Sequence, residues 1–344
     1  MLVKAKRSMA RCNKELYVSY LLSEPNYTSC MRLSKVMEAV SHDSINRFLE
    51  RERFGPQDLF EEEKDKIEWL GGVLSVDDSV LDKPYSDSKK AKFIDYFWSG
   101  KHHAVVKGIN IITLFYTDIH GISVPVNYRI CDKSSGKTKN DYFREMLTEV
   151  LSWGLAPAWV TGDSWYASLE NLKFIRGKKL NFMFGVESNR IISSERGKYI
   201  QIQKFEDWSS GAIHTVYLKD YGMVRVVRQL YKNAYRYYIL STAELNNLVS
   251  ITPVDFERLH NTHWRVEQFH RAIKQLCHIE PFQVRNEDPI KNHIFCALQA
   301  FIELELLRFN RIISHWYELR RNLYLTTIRN FISSYTKFRI PANA

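Results

Sequence analysis

The stretch from His260 to Lys274, HNTHWRVEQFHRAIK, constrains this chain more than any other. Leu259, Val266, Phe269 and Ile273 recur at helical spacing, which predicts an amphipathic helix with one buried stripe. On that helix Lys274 stands seven residues after Glu267, and His260 and His263 stand seven and four before it. Side chains at those offsets share roughly one side, so a carboxylate is set among basic groups. Such a face is either a site or a row of ordinary surface ion pairs, and the residues upstream have to decide.

A chain of 344 residues can bury a large core and carry two or three domains. Lysine and arginine total 49 against 39 acids, a net charge of +10 that favours a polyanionic partner, although many solvated faces are also basic. Cys12, Cys30, Cys131, Cys277 and Cys296 are odd in number and scattered, forming neither a metal-ligand pair nor a disulfide framework. That fits a reducing, cytoplasmic compartment. No apolar run has the form of a signal peptide or the length of a membrane span.

The chain begins with a basic arm, Lys4, Lys6, Arg7, Arg11 and Lys14, that leads into a helix. Two short helical patterns follow, Met31 to Ala39 and Ser44 to Glu50, with Ser41 placed to cap the second and Asp43 in its first turn. This pair is compatible with a helix-turn-helix that reads DNA through His42, Asn46 and Arg47, or with a helical subdomain packed on a core. The acidic residues 53–69 read as a linker with a helical end.

Val73 to Val76 form a strand-length apolar run ending in Asp77 and Asp78. Paired acids where a buried strand ends are costly unless water, a metal or a base neutralises them. Residues 102–115 and Ile122 to Ile130 read as further strands of an antiparallel meander, joined by the turn DIHG. After the basic loop holding Lys133, Lys137 and Lys139, Asp141 to Trp153 is an amphipathic helix stopped by Gly154. Ala158 to Thr161 is a short strand leading to Gly162 and Asp163, with a helix from Ser168 to Ile175. An acid at the carboxyl end of a strand is where an α/β sheet places its chemistry, though a turn or cap residue is the plainer role.

Residues 180–245 alternate like strands. Their Arg225, Arg228, Lys232 and Arg236 face either a phosphate backbone or plain solvent, and Trp208 is a stacking residue or a packing anchor. Pro289 to Phe309 reads as a buried helix, and residues 311–341 as a final helical region bearing Arg320, Arg321, Arg329, Lys337 and Arg339. Three acids, Asp78, Asp163 and Glu267, can thus reach one edge of a sheet. Carboxylates alone are hard oxygen ligands suited to magnesium or manganese. Two such ions about 4 Å apart can activate an attacking hydroxyl and steady a leaving oxygen in phosphodiester chemistry.

The motifs VDDS, TGDSWY and HWRVEQFHRAIKQ, over roughly residues 70–310, resemble the signature of DDE transposases from bacterial insertion sequences, the cut-and-paste type with a β-strand insertion. The resemblance implies an α/β fold: an RNase H-like mixed sheet flanked by helices, with an all-β insertion and an N-terminal helical DNA-binding domain. It implies domains at residues 1–60 (DNA-binding), 70–179 and 249–310 (catalytic), 180–248 (insertion) and 311–344 (C-terminal helical). Asp78, Asp163 and Glu267 would hold two Mg2+ or Mn2+ ions, cut element ends and join them to target DNA. By strand alternation alone, Asp77 and Asp78 are equally placed. The family's tyrosine, arginine and lysine around its glutamate correspond here to His260, His263 and Lys274. The implied partners are double-stranded DNA, both terminal repeats and target, and a second copy of the chain on that DNA; the implied place is the bacterial cytoplasm, at the nucleoid when bound. Two rival readings stand beside it: a same-fold metal-dependent nuclease, and a weakened or inactive DNA-binding descendant of a transposase.

Overall fold

The computed structural model describes residues 11–195, 197–206, 208 and 212–339, with the side chains of 335–339 outside that set. Lys4, Lys6 and Arg7 of the basic arm therefore lie outside the described residues, as do the side chains of Lys337 and Arg339. In chain order the elements are α1 (Lys14–Ser23), α2 (Cys30–Met37), α3 (His42–Arg51), α4 (Pro56–Glu62), β1 (Val73–Asp82), β2 (Asp95–Ser99), β3 (Ala104–Thr117), β4 (Ser123–Ile130), α5 (Lys139–Ser152), β5 (Trp159–Gly162) and α6 (Leu169–Gly177). They continue with β6 (Asn181–Val186), β7 (Ile191–Ser193), β8 (Ile200–Gln201), β9 (His214–Leu218), β10 (Gly222–Tyr231), β11 (Ala234–Ser241), α7 (Pro253–Gln275), α8 (Glu287–Phe309) and α9 (Trp316–Arg339). Among the described residues no helix is long and apolar enough to cross a membrane.

The chain divides into two compact units. The larger comprises Pro56–Pro84 and Phe93–Phe269 and is built on one mixed sheet. Its centre has the RNase H-like arrangement: β1, β3 and β4 form an antiparallel meander, and β5 and β6 add in parallel on the other side of β1. The strand order runs β2-β3-β1-β5-β6-β11-β10-β9-β7-β8, so the β-rich segment extends the same sheet through the antiparallel pair β6 and β11. The β-branched and aromatic run of β3 explains its length, because ten consecutive residues, Ile109 among them, are buried on both faces.

Three local expectations change. The strand carrying the paired acids does not end at them: β1 runs ten residues to Asp82, held throughout by β3. Of residues 102–115, those from Ala104 onward belong to a single strand, and the aromatic pentapeptide β2, outside the expected strands, pairs with its first half. The acidic stretch after residue 53 contains α4, whose Leu59 and Phe60 are buried, with Phe60 against Trp69 and Trp153 at 4.6 and 5.5 Å. Acid composition obscured a two-residue apolar anchor that is enough to dock this short helix.

The other unit joins the N-terminal helices, Tyr85–Lys92 and the chain from His270 onward. As its sequence predicts, α8 is buried on nearly all sides, with Ile294, Phe295 and Phe301 fully inaccessible. Helices α1 and α3 pack on it, and Phe54 stacks on Phe295 at 4.5 Å. Ser41 accepts from the Ser44 N–H and caps α3 as its position implies; His42 and Arg47 are exposed and Asn46 is half-buried. Two buried contacts join these helices: Tyr17 lies 2.9 Å from His293 Nδ1, and His293 Nε2 lies 3.0 Å from the His278 carbonyl. A carbonyl only accepts, so His293 carries its proton on Nε2 and accepts a hydrogen bond from the Tyr17 hydroxyl at Nδ1. Arg320 of α9 donates to the carbonyls of Gln275 and Leu276, which the end of α7 leaves unpaired.

Candidate active site

Strand pairing decides where each acid points. In the parallel pair Val76 stands beside Gly162, so the next position in that register brings Asp77 and Asp163 to the same face of the sheet. Gly162 is needed there: a Cβ on it would come within 2.5 Å of the Phe184 ring and 2.8 Å of Val76. The same face carries Ser75 and Thr161, whose hydroxyls bond at 2.8 Å, and Thr161 Oγ1 lies 3.2 Å from His263 Nδ1. This is the face that α7 covers, with Phe269 stacked on Phe115 at 4.7 Å and Leu259 buried beside Val73 and Trp159.

Asp78 points to the opposite face. There it accepts hydrogen bonds from Asn110 Nδ2 at 2.7 Å, Lys139 Nζ at 2.7 Å and the Tyr166 hydroxyl at 3.1 Å. The Asp78 and Lys139 side chains are mostly buried, at 13% and 19% exposure, so the pair is a held contact and not a solvent-screened one. Tyr166 is buried beside these carboxylates, and its hydroxyl titrates far above the usual tyrosine range, which makes it a dependable donor.

Asp163 leads the turn Ser164–Tyr166 and accepts the Trp165 N–H at 3.0 Å, so it is also the cap that its position allows. Its carboxyl reaches solvent but is crowded by protein on its other sides, the environment of a cleft floor. That crowding removes hydration, and Asp77 and then Asp78 add like charge. Together they push the carboxyl up to about 7, against the lowering pull of the Trp165 and Tyr166 N–H groups.

Of the groups expected on α7, Glu267 is exposed and its charge reaches Tyr238, raising that hydroxyl after burial has done so. His260 Nε2 lies 3.1 Å from the Tyr238 hydroxyl, and its ring packs between Phe256 and Tyr238. Burial and then the Arg236 guanidinium hold His260 below the usual histidine range, so it is neutral near pH 7. Arg265 leaves this side altogether, donating to the Gly121 carbonyl and Ser123 Oγ at 3.0 and 2.8 Å. Lys274, in the last turn of α7, belongs to the other unit.

Sequence reasoning missed Asn110, Tyr166 and Lys139 as partners of Asp78. Tyr166 lies within the TGDSWY motif, but the other two follow only from pairing between distant strands and helices. Three further basic candidates are engaged within the protein: Lys133 with Asp95, Lys137 with Glu145, and Arg228 over the Trp208 and Tyr235 rings at 5.2 and 4.2 Å.

Among the described residues no group of three or more histidine, cysteine, aspartate or glutamate side chains is gathered closely enough to hold a metal ion as it stands. The donor set nevertheless suits a hard cation. It is oxygen-only, a divalent ion would offset both the lost hydration and the added like charge that raise Asp163, and Thr113 Oγ1, opposite Asp77 in the sheet, is buried without a hydrogen-bond partner.

These features define an α/β protein with an acidic site at the carboxyl edge of its central parallel strands. The chain belongs to the DDE transposase family: the family model described as "Transposase DDE domain" matches residues 68–301. The cryo-EM structure of the piggyBac transposase synaptic complex with hairpin DNA is similar in fold, with a TM-score of 0.50 and 16% identity over 98% of this chain and 77% of that one. The Drosophila P element transposase strand transfer complex matches with a TM-score of 0.29 and 12% identity, over 58% of this chain and 49% of that one. No curated protein matches the chain.

Proposed function

We propose that this protein cuts the ends of an insertion sequence and joins them to target DNA, a phosphodiester hydrolysis followed by strand transfer. The observation that carries the reading is Asp163, set just past the end of β5 near Asp77 of the adjacent parallel strand and pushed up to about 7 by its surroundings. A matched transposase family supports it, as does a similar fold whose solved example holds hairpin DNA.

In this reading Asp163, Glu267 and an acid of β1 would hold Mg2+ or Mn2+. The register supports Asp77 for the third place in preference to Asp78, because Asp77 shares the α7 face with Asp163. When bound, the ions supply activation of the attacking hydroxyl and stabilisation of the leaving oxygen. The chain's own residues do the rest. Asp78 fixes Tyr166 and Lys139 and so steadies the turn that carries Asp163. Thr161 and Ser75 tie α7 to the strands beneath it through His263. The partners are double-stranded DNA and, because two ends must be cut and joined together, a second copy of the chain.

One observation favours a second reading, a DNA-binding descendant with weakened catalysis: a neutral His260 engaged by Tyr238 brings no fixed charge to a phosphate. Cleavage of a duplex carrying the element's terminal repeat, with Mg2+ or Mn2+, separates the two. Metal-dependent nicking at the repeat boundary that is lost in Asp163→Ala and Glu267→Ala supports the enzyme. Binding without cutting under either metal supports the descendant.

A further inference from the structure

The turn that follows Asp163 is clasped by the turn that leaves β6. Ser164 Oγ donates to Glu187 Oε1 at 2.6 Å, and Arg190 Nη2 donates to the Ala167 carbonyl at 3.0 Å. The clasping turn is itself fixed at both ends: the Arg190 N–H donates to the Glu187 carbonyl at 3.0 Å, and the Arg190 carbonyl accepts from the Ile202 N–H at 2.7 Å. Because β6 runs parallel to β5, the turn beyond it opens at the same carboxyl edge of the sheet as Asp163.

Charge is unbalanced in this clasp. Arg190 is half-buried, yet among the described residues its guanidinium makes that one hydrogen bond and no ion pair. Burial holds it below the usual arginine range, and no carboxylate opposes the shift. Two cations of the nearby helix α5 are matched by acids, Lys139 by Asp78 and Arg144 by Asp141 and Glu170. A partly desolvated charge without a counter-ion is a cost to the fold. A guanidinium is also a fork of donors, and one carbonyl satisfies a single prong.

We propose that Arg190 grips a backbone phosphate of the DNA strand lying beside the candidate acids. The inference rests on the DNA-processing function proposed above. Phosphate is the anion which that function brings to this edge, and a pair of its oxygens matches the remaining prongs of the fork. With another prong on the Ala167 carbonyl, the same side chain ties the gripped strand to the turn that carries Asp163. A contact of this kind sets the position of the strand and reads no base.

The test uses the full chain and duplexes bearing the element's terminal repeat, in which single phosphates around the repeat boundary are replaced one at a time by neutral methylphosphonate. Affinity is measured against salt concentration for wild type, Arg190→Gln and Arg190→Lys, with melting temperatures alongside. Arg190→Gln is expected to bind the unmodified duplex about ten-fold more weakly and to lose about one unit of the slope of log affinity against log salt. It is also expected to become indifferent to one methylphosphonate that weakens wild type. Arg190→Lys keeps the charge and a donor for Ala167 but not the fork. It is expected to keep the melting temperature and the salt slope while binding about three-fold or more weakly.

An Arg190→Gln variant that stays as sensitive as wild type to every methylphosphonate overturns the grip, leaves the clasp a purely structural one and leaves the DNA reading standing. Should Arg190→Gln fail to fold, Arg190→Lys decides: weaker binding at an unchanged melting temperature supports the grip, and affinity equal to wild type overturns it. Wild type that binds no duplex overturns the DNA reading itself, and the grip with it.

Discussion

Thr161 Oγ1 and His263 Nδ1 lie 3.2 Å apart, so the helix bearing Glu267 is tied to the strand that ends at Asp163. Ser75 extends the link to β1 through its 2.8 Å bond to Thr161. A polar thread therefore crosses the two strands and the helix from which the candidate acids arise, beneath the site and not in it. Ser75 and Thr161 are fully buried, which makes the thread costly to break.

Thr161→Val keeps the volume and removes both bonds. It is expected to destabilise the protein by about 1–3 kcal/mol, because the Ser75 hydroxyl loses its partner in a buried setting. Urea unfolding at pH 7 measures this, and an unchanged midpoint would mean that the thread does not hold α7.

The raised Asp163 carboxyl makes stability depend on pH with a definite sign. The folded value of about 7 exceeds the ordinary 3.8, so the folded state binds this proton more tightly than the unfolded chain. Asp163 therefore costs stability as pH rises from about 4 to about 7, and nothing further above that. Asp163→Asn is expected to be more stable than wild type at pH 8 and to lose that advantage at pH 4, in paired urea melts.

His260 works in the opposite sense. Its folded value lies below the ordinary 6.5, so the unfolded chain takes up the proton first and stability falls as pH drops below about 6.5. His260→Phe is expected to flatten this part of the profile between pH 7 and 5. A wild-type slope that survives the substitution would assign it to another group.

Lys139→Met removes the ammonium that bonds Asp78 while keeping an unbranched stem, leaving Asn110 and Tyr166 to hold the carboxylate. A loss of about 2 kcal/mol is expected, within the range for a charged partner removed from a largely buried pair. Thermal melts check the stability. Trp165 fluorescence should also change, since the ammonium leaves its ring.

Much of this architecture is written in local pattern. The apolar stripe of α7, the buried run of α8, the cap at Ser41 and the short strand before Asp163 all follow from spacing over a few residues. β2 is only five residues long with three consecutive aromatics, and α4 rests on Leu59 and Phe60 within an acidic stretch, so neither leaves a periodic signal. The roles of Asp77 and Asp78 could not be separated within β1, because alternation assigns them to opposite faces without saying which face α7 covers. That follows from pairing with β5, and from partners of Asp78 that are 61 and 88 residues away, Lys139 and Tyr166.

The most direct test of the account compares Asp77→Asn, Asp78→Asn and Asp163→Asn in metal-dependent cleavage of a duplex bearing the terminal repeat. Asp77→Asn and Asp163→Asn are expected to lose about a hundred-fold or more in rate, and Asp78→Asn, which supports the turn from the other face, about ten-fold. Cleavage that survives Asp77→Asn and disappears in Asp78→Asn would contradict the assignment of the site to the α7 face.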